Sequence, residues 1–75
     1  GTARRDRAVR LLDGLSARER EVAVAVGQGA SNAEISAELF MSVATVKAYV
    51  SRLLTKLGLN NRVQVALLVH DAELV

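Results

Sequence analysis

Ser31-Asn32-Ala33-Glu34-Ile35-Ser36-Ala37-Glu38-Leu39, then Phe40-Met41-Ser42, then Val43-Ala44-Thr45-Val46-Lys47 and on to Leu57, is the stretch whose reading decides the fold. The first block is a helix of about two turns, opened by a capping box in which Ser31 and Glu34 bond each other's backbone amides. The second block is a very short turn, and Ser42 caps the helix that follows, with Thr45 in the position its hydroxyl can serve. A connection this short makes two helices cross steeply and leaves the second projecting. That is a helix-turn-helix, the arrangement in which the second helix enters a DNA major groove.

Working outward, Ser16-Ala17-Arg18-Glu19 is another capping box and starts a helix with Val22, Ala23 and Val26 on one stripe. Leu15 packs just before that cap, and Gly27 and Gly29 are expected to end the helix. On the other side, Gly58 is expected to stop the helix that ends near Leu57. Asn61-Arg62-Val63-Gln64 is a capping box in its amide form and opens a last helix reaching about Ala72. Four helices with such short connections predict an all-α fold, a compact four-helix bundle containing a helix-turn-helix. Residues 15–75 form this domain. Residues 1–14, with Arg4, Arg5, Arg7 and Arg10 against Asp6, read as a linker or a short lead-in helix. Their arginines either touch phosphates or lie on a solvated tether. A chain opening on Gly1 instead of Met is expected to be a piece of a longer protein.

Helical spacing gives each residue of the third predicted helix, about Val43 to Leu57, a direction. Val46, Val50, Leu53 and Leu57 share the core face. Ala44, Ala48, Ser51 and Thr55 lie opposite. Lys47 and Arg52 stand on the two shoulders of that outward face, with Thr45, Tyr49 and Lys56 further round on the Arg52 side. A face of Ala and Ser lets the backbone approach base edges closely, and the flanking cations then reach bases or phosphates. Ser42, Thr45 and the free amides of the helix start make a phosphate clamp, and the Ser31 and Asn32 end of the preceding helix offers a second. The expected DNA contacts are Ser31, Asn32, Ser42, Thr45, Lys47, Ala48, Tyr49, Ser51, Arg52 and Lys56.

Charge agrees with this placement. The net charge of the 75 residues is only +2, but residues 39–70 hold Lys47, Arg52, Lys56 and Arg62 and no Asp or Glu. A one-signed surface attracts a polyanion. With 51% hydrophobic residues and only 3% aromatic, the core must be built of Val, Leu and Ala. The chain has no cysteine and one histidine, His70, so no Cys-based zinc site and no metal site is expected. No glycine-rich phosphate loop and no nucleophile–base constellation is present, so neither an enzyme nor a cofactor is expected. No segment is apolar and long enough to span a bilayer, and the lack of cysteine fits a reducing cytoplasm. No small-molecule ligand is expected.

The last helix is apolar nearly all round, through Val63, Val65, Ala66, Leu67, Leu68 and Val69. One face serves the core, and the other needs cover. A homodimer is the simplest cover; an absent domain or the N-terminal leucines are the alternatives. Other readings of the whole chain are a helical interaction module docking an acidic partner and a domain like region 4 of a sigma factor.

Leu15-Ser16-Ala17-Arg18-Glu19-Arg20-Glu21-Val22, Gly29-Ala30-Ser31-Asn32-Ala33-Glu34-Ile35, Leu39-Phe40-Met41-Ser42, Thr45-Val46-Lys47, then Lys56-Leu57, Arg62 and Ala66, resemble the LuxR-type helix-turn-helix of the NarL/FixJ response regulators. The resemblance covers residues 15–69. It implies a cytoplasmic transcription regulator of a two-component system, with this chain as its DNA-binding domain. It also implies that Lys47 is a DNA contact, that Ala48 and Ser51 face DNA, and that the domain dimerises through its last helix. Val63, Leu67 and His70 are the expected dimer contacts, on inverted half-sites roughly 10 bp apart. Departures from the family are small residues at 48 and 51, for which Arg52 or DNA shape would compensate. Tyr49 stands where His is common, its ring free to pack on the core edge. Ala23 and Ala25 stand where Leu is usual, so the first helix should pack closer or leave a thinner core. Ser36 replaces an Ala, with its hydroxyl expected to bond back to the Asn32 carbonyl.

Overall fold

The computed structural model describes residues 2–75. The described residues form five helices and no strand: α1 Thr2–Asp13, α2 Ala17–Gly27, α3 Asn32–Leu39, α4 Val43–Leu57 and α5 Arg62–Asp71. The four predicted helices are α2 to α5. The additional one is the lead-in segment, of which Gly1 lies outside the described residues. Its Ala8 and Leu12 are buried, and α1 packs along α5.

Each helix start is closed as its sequence dictates. Ser16 and Ser31 form reciprocal boxes with Glu19 and Glu34. Ser42 Oγ accepts from the Thr45 amide at 3.0 Å and lies 2.8 Å from Thr45 Oγ1. Asn61 accepts from the Gln64 amide at 3.1 Å, but the Gln64 side chain bonds the Asn60 amide, at 2.7 Å, rather than that of Asn61. The returning arm of that box is displaced by one residue.

Four helix ends share one closing motif, in which an amide bonds the carbonyl five residues back across a left-handed residue. The bonds are Ala30 N to Ala25 O (3.1 Å), Met41 N to Ser36 O (3.1 Å), Leu59 N to Leu54 O (2.9 Å) and Leu74 N to Val69 O (3.2 Å). The left-handed residues are Gly29, Phe40, Gly58 and Glu73. Gly29, not Gly27, therefore turns the chain out of α2. Gly27 serves the packing instead. A Cβ built on it would lie 2.6 Å from Val69 Cγ1, so its bare backbone lets α2 and α5 meet closely. With Ala23 and Ala25 also buried, the small residues of α2 produce close packing.

The core is Ala8, Leu12, Val22, Ala23, Ala25, Val26, Ile35, Val46, Leu53, Val65, Val69 and Ala72, aliphatic throughout. The helix-turn-helix corner is pinned by two side chains. Ser36 Oγ donates to the Met41 carbonyl at 2.6 Å, across the turn and not back to Asn32 as expected. Arg18 on α2 donates to the Leu39 carbonyl at the end of α3 and pairs with Glu21 at 2.9 Å. These bonds fix the angle at which α4 leaves the bundle.

Candidate nucleic-acid interface

On α4, Val46 and Leu53 are fully buried, and Tyr49, Val50, Leu54 and Leu57 are partly buried against the core. Ala44, Thr45, Lys47, Ala48, Ser51, Arg52, Thr55 and Lys56 are exposed. The side expected to be outward is outward. Leu54 joins the core side, a residue the four-membered stripe had left out.

The cations divide into two classes that sequence could not separate. Lys56 Nζ pairs with Glu19 Oε1 at 2.9 Å. Glu19 is only 3% exposed and also accepts from the Ser16 amide at 2.7 Å. Lys56 first, then the Ser16 backbone, hold the Glu19 carboxyl down to about 2, from 4.5. The last turn of α4 is thus tied to the first turn of α2. Arg62 donates to Asn32 Oδ1 at 2.6 Å and to the Ala30 carbonyl at 2.9 Å, fastening α5 to the start of α3. The other ion pairs are Arg5 with Asp6 and Glu73, and Arg20 with Asp13. Lys47 and Arg52, by contrast, have no ion-pair partner among the described residues. The Arg52 guanidinium carbon sits 5.0 Å from the centroid of the Tyr49 ring.

Two of the expected DNA contacts, Lys56 and Asn32, therefore have side-chain partners on other helices. Lys56 is drawn to a buried carboxylate where α4 meets α2, and the Asn32 side-chain oxygen is taken by Arg62 where the start of α5 meets the start of α3. The two helix starts of the motif also differ. At α3, the Ser31 amide donates to Glu34 Oε1 at 2.8 Å, and this bond lowers the Glu34 carboxyl below 4.5. That start carries a fixed negative charge. At α4 the third position is Thr45, so the dipole end remains uncompensated.

On α5, Val65 and Val69 are buried, while Val63 and Leu67 are 64% and 60% exposed. Residues 63, 67 and 70 lie on one stripe. The N-terminal helix covers a different side of α5 and leaves Val63 and Leu67 open. His70 Nε2 lies 3.0 Å from the Gly27 carbonyl, so its ring is held at the end of α2. No described helix is long and apolar enough to cross a membrane.

Residues 13–69 match the family described as "Bacterial regulatory proteins, luxR family". The chain is 36% identical over 63 residues (84% of its length) to the transcriptional regulatory protein LiaR of Bacillus subtilis. It is 43% identical over 60 residues (80%) to the DNA-binding transcriptional activator DevR/DosR of Mycobacterium tuberculosis. It is 47% identical over 58 residues (77%) to a probable transcriptional regulatory protein NarL of the same species. It spans only 30%, 28% and 27% of those three proteins, respectively. An exposed, acid-free face on the second helix of a pinned helix-turn-helix, and these matches across most of the chain, have one common explanation: the chain belongs to the luxR family of bacterial regulatory proteins, as a helix-turn-helix DNA-binding domain of a transcription regulator.

Proposed function

We propose that α4 lies in the major groove of duplex DNA, with Ala44, Ala48 and Ser51 toward the floor and Lys47 donating to a base edge. Ser42, Thr45 and the first-turn amides of α4 hold a backbone phosphate. The Ser31 end of α3 is a weaker phosphate contact, since it carries the Glu34 carboxylate. Tyr49 and Arg52 line the opposite shoulder. Asn32 and Lys56 act from within, as fasteners of the helices that aim α4. The observation that carries the reading is the exposure of the whole Ala44–Ser51 side of α4 together with Lys47, which finds no carboxylate among the described residues.

Two copies are proposed to meet through Val63 and Leu67, placing two α4 helices about one DNA turn apart on inverted half-sites. The exposed apolar pair on α5 supports this. His70 contributes at the edge while keeping its bond to Gly27. The chain is read as the output part of a longer cytoplasmic regulator, without catalysis of its own.

The test is selection of bound duplexes from a random pool, followed by titration at rising salt. A palindromic consensus, with affinity falling steeply as salt rises, is expected. Selection of no consensus, or binding insensitive to salt, would defeat the groove reading. A consensus with a single half-site would defeat the dimer.

A further inference from the structure

We infer that Arg52 reads a guanine through both of its terminal nitrogens and that Tyr49 is the positioning residue that holds it ready to do so. The inference rests on the reading of α4 as the groove-entering helix. Tyr49 and Arg52 are three residues apart on α4, one above the other on the same flank. The Tyr49 ring is partly buried and packed against the core, so it is a fixed platform. The guanidinium carbon lies 5.0 Å from its centroid. Arg52 makes no ion pair and no hydrogen bond among the described residues, so its N–H donors are uncommitted. An aromatic ring under a guanidinium covers one face and leaves the donor edge free, and it restricts an otherwise mobile side chain.

What the fork would meet follows from its neighbours. Ala48 and Ser51 are small, so α4 can sit deep and bring Arg52 within reach of base edges. Of the two cations on this face, Lys47 is a point charge and only Arg52 has the planar fork that matches guanine O6 and N7. Bidentate readout, which the small side chains at 48 and 51 cannot supply, is thereby moved to the shoulder of the helix.

The probes are a consensus duplex selected by the wild-type chain and a scrambled duplex of the same length. Arg52→Lys keeps the charge and loses the fork. It is expected to weaken consensus binding by about tenfold or more while leaving the scrambled duplex and the salt slope nearly as they were. Tyr49→Leu should shift the same ratio in the same direction by a smaller factor, and Tyr49→Phe, which keeps the ring, should restore it. When each consensus guanine is replaced in turn by 7-deazaguanine, at least one replacement should weaken the wild type clearly more than it weakens Arg52→Lys.

Equal losses on both duplexes would make Arg52 a phosphate contact and overturn the inference. So would a consensus without guanine, or Tyr49→Leu binding like wild type. If Tyr49→Leu fails to fold by circular dichroism, Arg52→Lys with the deaza duplex decides alone. Lys47→Ala on the same duplexes separates the two levels: if it loses consensus binding while Arg52→Lys does not, the groove reading stands and this inference falls.

Discussion

The two helices of the motif start alike and end up electrically different. Both are capped by a serine, Ser31 at α3 and Ser42 at α4, each accepting from the backbone amide three residues on. At α3 that residue is Glu34, whose carboxylate returns to the Ser31 amide and neutralises the helix dipole on the spot. At α4 it is Thr45, which adds a hydroxyl and no charge. The α3 box is the better cap, and the α4 start is the better anion site. A cap is a compromise between holding a helix and leaving its positive end available, and the two serines show both solutions eleven residues apart.

Thr45→Glu would erase that difference and has the largest expected effect. It completes a capping box at α4, so thermal stability should hold or rise slightly, while DNA binding should fall by several kcal/mol as a carboxylate faces phosphate. Binding retained at wild-type strength would show that the α4 start is not a phosphate site. Next comes Lys47→Ala, expected to cost about 1–3 kcal/mol of specific binding with no change in melting temperature.

The opposite end of α4 sharpens the comparison, since there the same kind of cation is spent on the fold. Lys56→Met should lower the melting temperature, because Glu19 stays behind at 3% exposure without its partner. Lys56 itself is 47% exposed, so solvent screening keeps the loss below that of a wholly buried pair. Double substitution with Glu19→Gln should cost less than the sum of the two single changes.

Acid titration reads the same link. The folded Glu19 carboxyl lies at about 2 against an ordinary 4.5. Its depressed value means the unfolded chain takes up this proton first. The stability it confers is complete above the ordinary value and is lost as pH falls through the folded one. Glu34 contributes with the same sign. Acid unfolding followed by circular dichroism should show this slope, and Lys56→Met should flatten it.

The smallest effect belongs to the turn between the two helix starts. Phe40 holds a left-handed conformation at φ 55°, and the residue is 94% exposed. Phe40→Gly should raise stability by about 1 kcal/mol, measured by denaturant unfolding, by relieving a conformation that costs L-residues about that much. A loss of stability would mean the ring is supported by contacts.

Much of this molecule can be read from its residues in order. The caps at Ser16, Ser31, Ser42 and Asn61 are local, since each involves atoms three residues apart, and they mark the helix starts without knowledge of the fold. The inward and outward sides of α4 follow from helical period alone, because Val46 and Leu53 can bury only if Ala48 and Ser51 face away. What local reasoning could not supply was the fate of groups that meet across the bundle. Lys56 and Lys47 stand in the same acid-free stretch, and only the approach of α2 to the end of α4 brings Glu19 to one of them. Asn32 and Arg62, His70 and Gly27, and Ser36 and Met41 are likewise settled by how helices or turns converge. The lead-in helix follows the same rule: its sequence left linker and helix open, and the burial of Ala8 and Leu12 comes with α5 as a surface to pack on. Sequence determined the elements and the direction of each face, because those depend on near neighbours along the chain. Tertiary structure decided which charges remain free, because a carboxylate's partner is set by distance in space, and no periodicity records it.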